Sequence, residues 1–141
     1  MSRFQQFSST LRQGHQALKE CIVAVQTVVR SYPEARPALH ALETVLITHW
    51  ERQTQQVFTD LSRFFQESRQ DIKMLEFLLH DLKDMKIKTL VFYDQYSGAL
   101  PIQEAHSLRK NFHRFTEDIL NRIRIEEEYF LPLLAKADAQ V

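Results

Sequence analysis

Apolar side chains recur along most of the chain at alternating steps of three and four residues, which is the spacing of one face of an α-helix. The first such line runs through Leu11, His15, Leu18, Ile22, Val25 and Val29. No segment combines strict alternation of apolar and polar residues with turn residues at its ends, which is the pattern of a β-strand. The chain is therefore predicted to be all-α.

Glycine and proline indicate where the helices stop. The chain of 141 residues contains two glycines and four prolines, most of them in the stretches SYPEARP and YSGALP. The long intervals between these stretches predict helices over about residues 8–30, 33–65, 68–96 and from 101 onward. Four helices with short connections predict a single domain, residues 1–141, folded as an up-down-up-down antiparallel four-helix bundle.

Each predicted helix carries polar residues on its inward line. The second line reads Leu39, Leu42, Leu46, His49, Gln53 and Val57. The third is harder to phase, because its apolar residues cover a wide arc, and the line through its histidine reads Phe77, His80, Asp84, Ile87 and Val91. The fourth reads Phe112, Phe115, Ile119, Arg122, Glu126, Tyr129 and Leu133. Of the three consecutive glutamates 126–128, only the first is predicted to face inward.

Histidines on three separate inward lines indicate a common binding site, since burying several polar rings without partners is costly. His15 and His49 are nearly equidistant from the turn at Tyr32, so an antiparallel pair of helices would set them side by side. Together with His80 and Glu126 they form a histidine and carboxylate set that suits iron, zinc or manganese. Asp84 is an additional donor, and His113 with Glu117 forms another His-x-x-x-Glu pair whose direction stays open.

The sequence resembles the hemerythrin-like, or HHE cation-binding, family of four-helix bundles that hold a non-haem di-iron site. The resemblance rests on two half-repeats, each a helix with one histidine followed by a helix with a His-x-x-x-Glu pair. The first half reads GHQALKE and HWERQTQQVF, and the second reads LLHDLKD and RIRIEEEYFLP. The resemblance implies metal ligation at the positions of His15, His49, Gln53, His80 and Glu126.

Two positions depart from the family pattern and reduce the number of metal ligands that we expect. Gln53 stands where the family has a bridging glutamate, and Arg122 stands where it has the histidine of the fourth helix. An arginine has no lone pair for a metal and keeps its positive charge. The expected occupant is therefore one non-haem iron rather than two, with zinc, manganese or no metal as open alternatives. A small gaseous ligand such as oxygen or nitric oxide, sensed or stored at the metal, is the implied partner.

The composition of the chain narrows the possible partners, location and activity of the protein. Lysine plus arginine balances aspartate plus glutamate at 18 each. The net charge therefore does not favour nucleic acid or an anionic membrane as a binding partner. The single cysteine and the absence of an apolar leader predict a cytoplasmic protein. The sequence contains neither a nucleophile–base pair nor a phosphate-binding loop, so it does not predict an enzyme.

Two alternatives to the metal protein stay open. One is a metal-free regulatory or protein-interaction bundle, and association as a homodimer or with a protein partner stays open for either kind of protein. The other is a histidine-phosphotransfer bundle that uses His80 and Lys83, although the acidic Asp84 beside them would repel phosphate.

Overall fold

The protein is described by a computed structural model that covers residues 2–96 and 102–140, and for residues 102–106 it describes the backbone alone. Within these ranges all regular structure is helical, which confirms the all-α prediction. The helices are α1 (Arg3–Val28), α2 (Tyr32–Arg52), α3 (Gln55–Phe64), α4 (Arg69–Gln95), α5 (Ile102–Ile125) and α6 (Leu131–Asp138), with a π-helical turn at Glu126–Phe130 between the last two. The predicted turn around Gly98 and Pro101 lies outside the described residues.

The helix starts follow from local capping chemistry. Ser2 caps α1 by accepting a hydrogen bond from the backbone of Gln5, whose side chain bonds back to the Ser2 backbone, and this reciprocal pair satisfies two free N–H groups. Ser68 caps α4 by accepting a hydrogen bond from the backbone N–H of Asp71. Pro33 lies in the first turn of α2, where its missing N–H costs nothing.

The second predicted helix is interrupted, contrary to the expectation of one continuous segment. Gln53 leaves the helical conformation with φ −85° and ψ 72°. Thr54 then caps α3 by accepting from the backbone N–H of Val57, and threonine is a favoured residue at that position. The break holds the Gln53 side chain at the buried centre of the molecule.

The phase predicted for the third helix is wrong. Its buried residues are Asp71, Leu75, Leu78, Leu82, Met85, Thr89 and Phe92. The line through His80 lies on the opposite side, with Phe77, Ile87 and Val91 exposed. This helix carries apolar residues around most of its circumference, so periodicity alone does not select the face that packs.

The π-helical turn changes which residue faces inward after Glu126. Phe130 is fully buried, whereas Tyr129, which the helical line predicted to be buried, is 40% exposed. Pro132 has no N–H to donate to the carbonyl four residues earlier, a common cause of departure from α geometry. A π turn adds a residue to the turn, so the inward position moves from Tyr129 to Phe130.

The helices pack around one core. α1 contacts α2 and α6, α4 contacts α5 and α2, and α3 covers parts of α4 and α6. Phe92 stacks on Phe115 with ring centroids 4.4 Å apart, and Phe130 packs against Phe7 and Phe58. Along α5 and the π turn, polar Arg122 and Glu126 lie between these aromatic layers. No helix among the described residues is both long enough and apolar enough to cross a membrane.

Candidate functional site

The Glu126 carboxylate is fully buried and lies at the centre of a polar cluster. Its Oε1 atom lies 2.7 Å from His15 Nε2 and 2.8 Å from His49 Nε2. Its Oε2 atom accepts hydrogen bonds from Gln53 Nε2 at 2.9 Å and from Arg122 Nε at 2.8 Å. The two oxygens therefore have different surroundings, with imidazoles at one and an amide and a guanidinium at the other.

Arg122 is also fully buried, and its guanidinium meets partners on three sides. Besides Glu126, Nη2 donates to Gln53 Oε1 at 2.9 Å, and Nη1 donates to Asp81 Oδ2 and to the Leu78 carbonyl, both at 3.0 Å. A buried charge is tolerated when it is paired and its donors are satisfied. The prediction that Arg122 and Glu126 both face the core is confirmed.

The charge state of Glu126 follows from these partners. Burial by itself raises the pKa of this carboxyl, because it disfavours the ionised form. The hydrogen bonds from His15 and His49, together with the nearby positive charge of Arg122, outweigh that cost and hold the pKa of Glu126 well below its usual range. The surroundings of Glu126 thus favour its ionised form.

The π turn gives His15 a carboxylate at each of its ring nitrogens. While Nε2 meets Glu126, Nδ1 lies 3.1 Å from Oε1 of Glu127, a half-exposed residue that also lies 3.9 Å from Lys19 Nζ. Two consecutive glutamates thereby hold one imidazole, which sets the ring plane. Sequence reasoning assigned Glu127 to solvent and missed this contact with His15.

His49 is positioned by a glycine. A Cβ atom at Gly14 would lie 2.2 Å from His49 Nδ1 and 2.8 Å from Cε1. The ring of His49 lies 5.3 Å from that of His15 and 5.2 Å from that of Trp50, so the predicted side-by-side placement of the two histidines is confirmed. The Nδ1 atom of His49 is buried and has no hydrogen-bond partner in the described structure. Gly14, which weakens the middle of a helix, is explained by the room that this ring needs.

The donor set at Oε1 fits one metal ion. One ring nitrogen each of His15 and His49 and one Glu126 oxygen lie within 4.8 Å of one another. Two imidazoles with one carboxylate are the protein donors of many mononuclear non-haem iron sites. Both rings would have to present an unprotonated Nε2. Glu127 at His15 Nδ1, and Arg122 and Gln53 at Glu126 Oε2, correspond to the outer hydrogen bonds that orient metal ligands.

The structure brings together four of the five predicted site residues, namely His15, His49, Gln53 and Glu126. His80 is not among them, because the actual phase of α4 turns it outward. Its side chain is 78% exposed and lies 3.7 Å from Asp84, which is exposed as well. His113 is similarly exposed and pairs with Glu117 at 3.0 Å. The prediction that His80 faces the core is wrong.

Asp81 takes the place beside the cluster that His80 was expected to fill. The sequence offers a weak indication of this, since the line Leu75, Leu78, Leu82 and Met85 is as regular as the line through His80. Choosing that line would have set Asp81 at the edge of the buried face, within reach of Arg122. The carbonyl of Leu78, a further partner of Arg122, carries no signature in the sequence.

Comparisons of the chain with models of protein families, with curated proteins and with solved structures found no match.

Proposed function

We propose that the chain is a hemerythrin-like cation-binding protein, an up-down-up-down antiparallel four-helix bundle that holds a single metal ion at His15, His49 and Glu126. The observation that carries the proposal is that the two carboxylate oxygens of Glu126 have different partners. One oxygen faces two imidazole nitrogens, and the other faces a guanidinium. Non-haem iron suits this donor set best, with zinc and manganese as competitors.

Arg122 supports a count of one ion rather than two. In a two-metal site a carboxylate bridges the cations, one at each oxygen. Here the guanidinium lies 2.8 Å from Oε2 of Glu126 and 2.9 Å from Oε1 of Gln53, so a fixed positive charge lies where a second cation would be held. Coulomb repulsion in a buried site opposes adding another cation there.

The role of the ion follows from what surrounds it. When bound, it would supply a Lewis-acidic or redox centre with the positions not taken by protein open to a small ligand. Glu127 would orient His15, and Gln53 would orient the carboxylate through its amide. Sensing or storage of oxygen, nitric oxide or the cation itself is the function proposed for such a site.

Metal analysis tests the proposal directly. The chain is purified without chelator, loaded anaerobically with Fe(II), and its metal content measured. We expect close to one equivalent, lost in His15→Ala and His49→Ala and retained in the matched exposed variants His80→Ala and His113→Ala. Titration with Co(II), followed by its visible absorption, reports nitrogen and oxygen ligation independently of any activity.

A second variant tests the role of Arg122. Changing Arg122→His and Gln53→Glu together replaces the guanidinium by a ligand and restores a second carboxylate. We expect the bound metal to rise from one ion toward two. A wild-type content below about 0.2 equivalents after loading would overturn the proposal.

The metal-free bundle is the second candidate, and one observation favours it. Both oxygens of Glu126 already have two partners each among the residues described, so the carboxylate is satisfied without a cation. In that case the cluster acts as a buried polar network that specifies how α1, α2, α4 and the π turn pack, and the loading experiment gives no bound metal in any variant.

A further inference from the structure

The two imidazoles of the candidate metal site differ in what holds them. Both rings are buried and bring Nε2 to the same oxygen of Glu126, at 2.7 Å from His15 and 2.8 Å from His49. Their other ring nitrogens have different surroundings. His15 Nδ1 lies 3.1 Å from Oε1 of Glu127, whereas His49 Nδ1 is buried and has no hydrogen-bond partner in the described part of the chain. Polar contacts thus hold His15 at both ring nitrogens and His49 at only one.

The partner of His15 Nδ1 is itself held by a second charged group. Glu127 directly follows Glu126 in the π turn, so consecutive carboxylates lie on the two sides of one ring. Lys19 follows His15 by four residues on α1 and shares its face, and Lys19 Nζ lies 3.9 Å from the same Glu127 oxygen. The Glu127 side chain is 45% exposed. Replacing it therefore removes the contact with His15 with little loss of buried surface.

A metal ion at Nε2 fixes where the proton of a neutral imidazole lies. The ring has one N–H and one lone pair, so a lone pair offered to a metal at Nε2 places the N–H at Nδ1. For His15 the Glu127 carboxylate can accept that hydrogen bond, an arrangement that fixes the tautomer and orientation of metal-bound histidines. For His49 the N–H would lie against Gly14, where even a Cβ atom would be 2.2 Å from Nδ1. A buried donor without an acceptor is costly, so only His15 has surroundings that favour ligation through Nε2.

We propose that Glu127 is a positioning residue for metal binding. By accepting a hydrogen bond from His15 Nδ1, it holds the ring with the Nε2 lone pair directed at the ion. The inference rests on the proposed function, since it requires a metal ion at His15, His49 and Glu126. It adds that the affinity of the site depends on a residue that does not touch the ion, and that this residue acts through a correctly placed acceptor oxygen rather than through its negative charge.

Three substitutions separate the acceptor oxygen from the charge. Glu127→Ala removes both. Glu127→Gln keeps an acceptor oxygen on a side chain of the same length, and Glu127→Asp keeps the charge on a side chain that is one methylene shorter. Titration with Co(II) against a competing chelator gives the dissociation constants. We expect the alanine and aspartate variants to bind about 10–100-fold more weakly, the usual effect of losing such a partner, and the glutamine variant to stay within about fivefold of the wild type.

Glu128→Ala is the matched control for this series. Glu128 is also half exposed and pairs with Arg124 at 3.0 Å rather than with a histidine, so its loss should leave the affinity for Co(II) as in the wild type. Circular dichroism and the urea midpoint of the metal-free proteins should be the same for every variant, which separates a change in ligand position from a change in folding.

NMR of the zinc-loaded protein gives a readout that does not depend on affinity. Zn(II) is a d¹⁰ ion without redox chemistry, and at saturating concentration it fills the site in every variant. A slowly exchanging His15 Nδ1 proton should be seen in the wild type and in Glu127→Gln. It should be lost in Glu127→Ala and Glu127→Asp, because neither supplies an acceptor within reach of the ring.

The possible results distinguish this inference from the proposed function. Unchanged affinity in Glu127→Ala would show that the contact has no role in binding. Weak binding in the glutamine variant combined with wild-type binding in the aspartate variant would show that Glu127 acts through its charge. Either result overturns the inference, while a wild type that binds one ion still supports the proposed function. A wild type that binds no metal after loading overturns both.

Discussion

The buried centre of this protein is polar, while one of its surfaces is apolar. Arg122 and Glu126 are fully buried, whereas Ile87, Leu90 and Val91 are more than half exposed. The difference shows that partners, rather than residue type, decide burial here. The guanidinium and carboxylate are buried because hydrogen-bond partners surround their polar atoms. The α4 side chains are exposed because no helix in the described part of the chain covers that face.

The largest effect is expected from breaking the polar centre. Glu126→Ala leaves Arg122 buried with one partner fewer, and removing one member of a buried ion pair typically costs about 3–5 kcal/mol. We expect a loss of that size in the free energy of unfolding, measured by urea denaturation. Glu128→Ala is the matched control, since Glu128 pairs with Arg124 at 3.0 Å on the surface and its loss should cost less than about 1 kcal/mol. Equal losses in both variants would contradict the buried pair.

Gly14→Ala should destabilise the protein through His49. Alanine is ordinarily better than glycine within a helix by about 1 kcal/mol, but here its Cβ would meet the His49 ring at 2.2 Å. Overpacking of this kind typically costs about 1–3 kcal/mol. In a His49→Ala background the same change should become stabilising, because the obstacle is gone. Thermal unfolding of the four proteins measures this change of sign, and a stabilising effect in both backgrounds would refute the contact.

Asp71 offers an intermediate case between the buried centre and the surface. It accepts a hydrogen bond from Lys136 at 2.7 Å, which together with a weaker contribution from Ser68 lowers the pKa of Asp71 against the opposing effect of burial. A lowered pKa in the folded protein adds stability above the unfolded value of about 3.9, and this is lost as the pH falls through the folded pKa. Because Lys136 is half exposed, Asp71→Asn should cost only about 1 kcal/mol at pH 7.

The measurement is urea denaturation of wild type and Asp71→Asn between pH 7 and pH 2.5. The difference between the two proteins should shrink below about pH 4, where the unfolded carboxyl takes up a proton. A difference that grows on acidification would contradict the pKa direction assigned to Asp71.

The smallest effect is expected on the exposed face of α4. Leu90→Ala should change the free energy of unfolding of the monomer by less than about 0.5 kcal/mol, since the side chain is already in water. Leu78→Ala, on the buried face of the same helix, should cost about 2–5 kcal/mol. Urea denaturation of the two variants at the same protein concentration compares their free energies of unfolding. Similar losses in both variants would mean that the phase of α4 is misplaced.

Much of the site was predictable because most helices have a single apolar stripe. On α1, α2 and α5 a period of three and four residues defines one face, and His15, His49, Arg122 and Glu126 fall on it. Their burial was therefore predicted correctly. On α4 the apolar residues Phe77, Ile87 and Val91 compete with Leu75, Leu78 and Leu82, and local spacing does not rank the two sets.

The sequence by itself determined the helices, their approximate limits, and the inward direction of His15, His49, Arg122 and Glu126, because these follow from the spacing of side chains within a few helical turns. Only the tertiary structure decided that His80 faces solvent and Asp81 meets Arg122, since that choice depends on which side of α4 the other helices cover. It also decided the break at Gln53 and the π turn that brings Glu127 to His15. Both are departures from regular helix that are stabilised by partners more than 70 residues away along the chain.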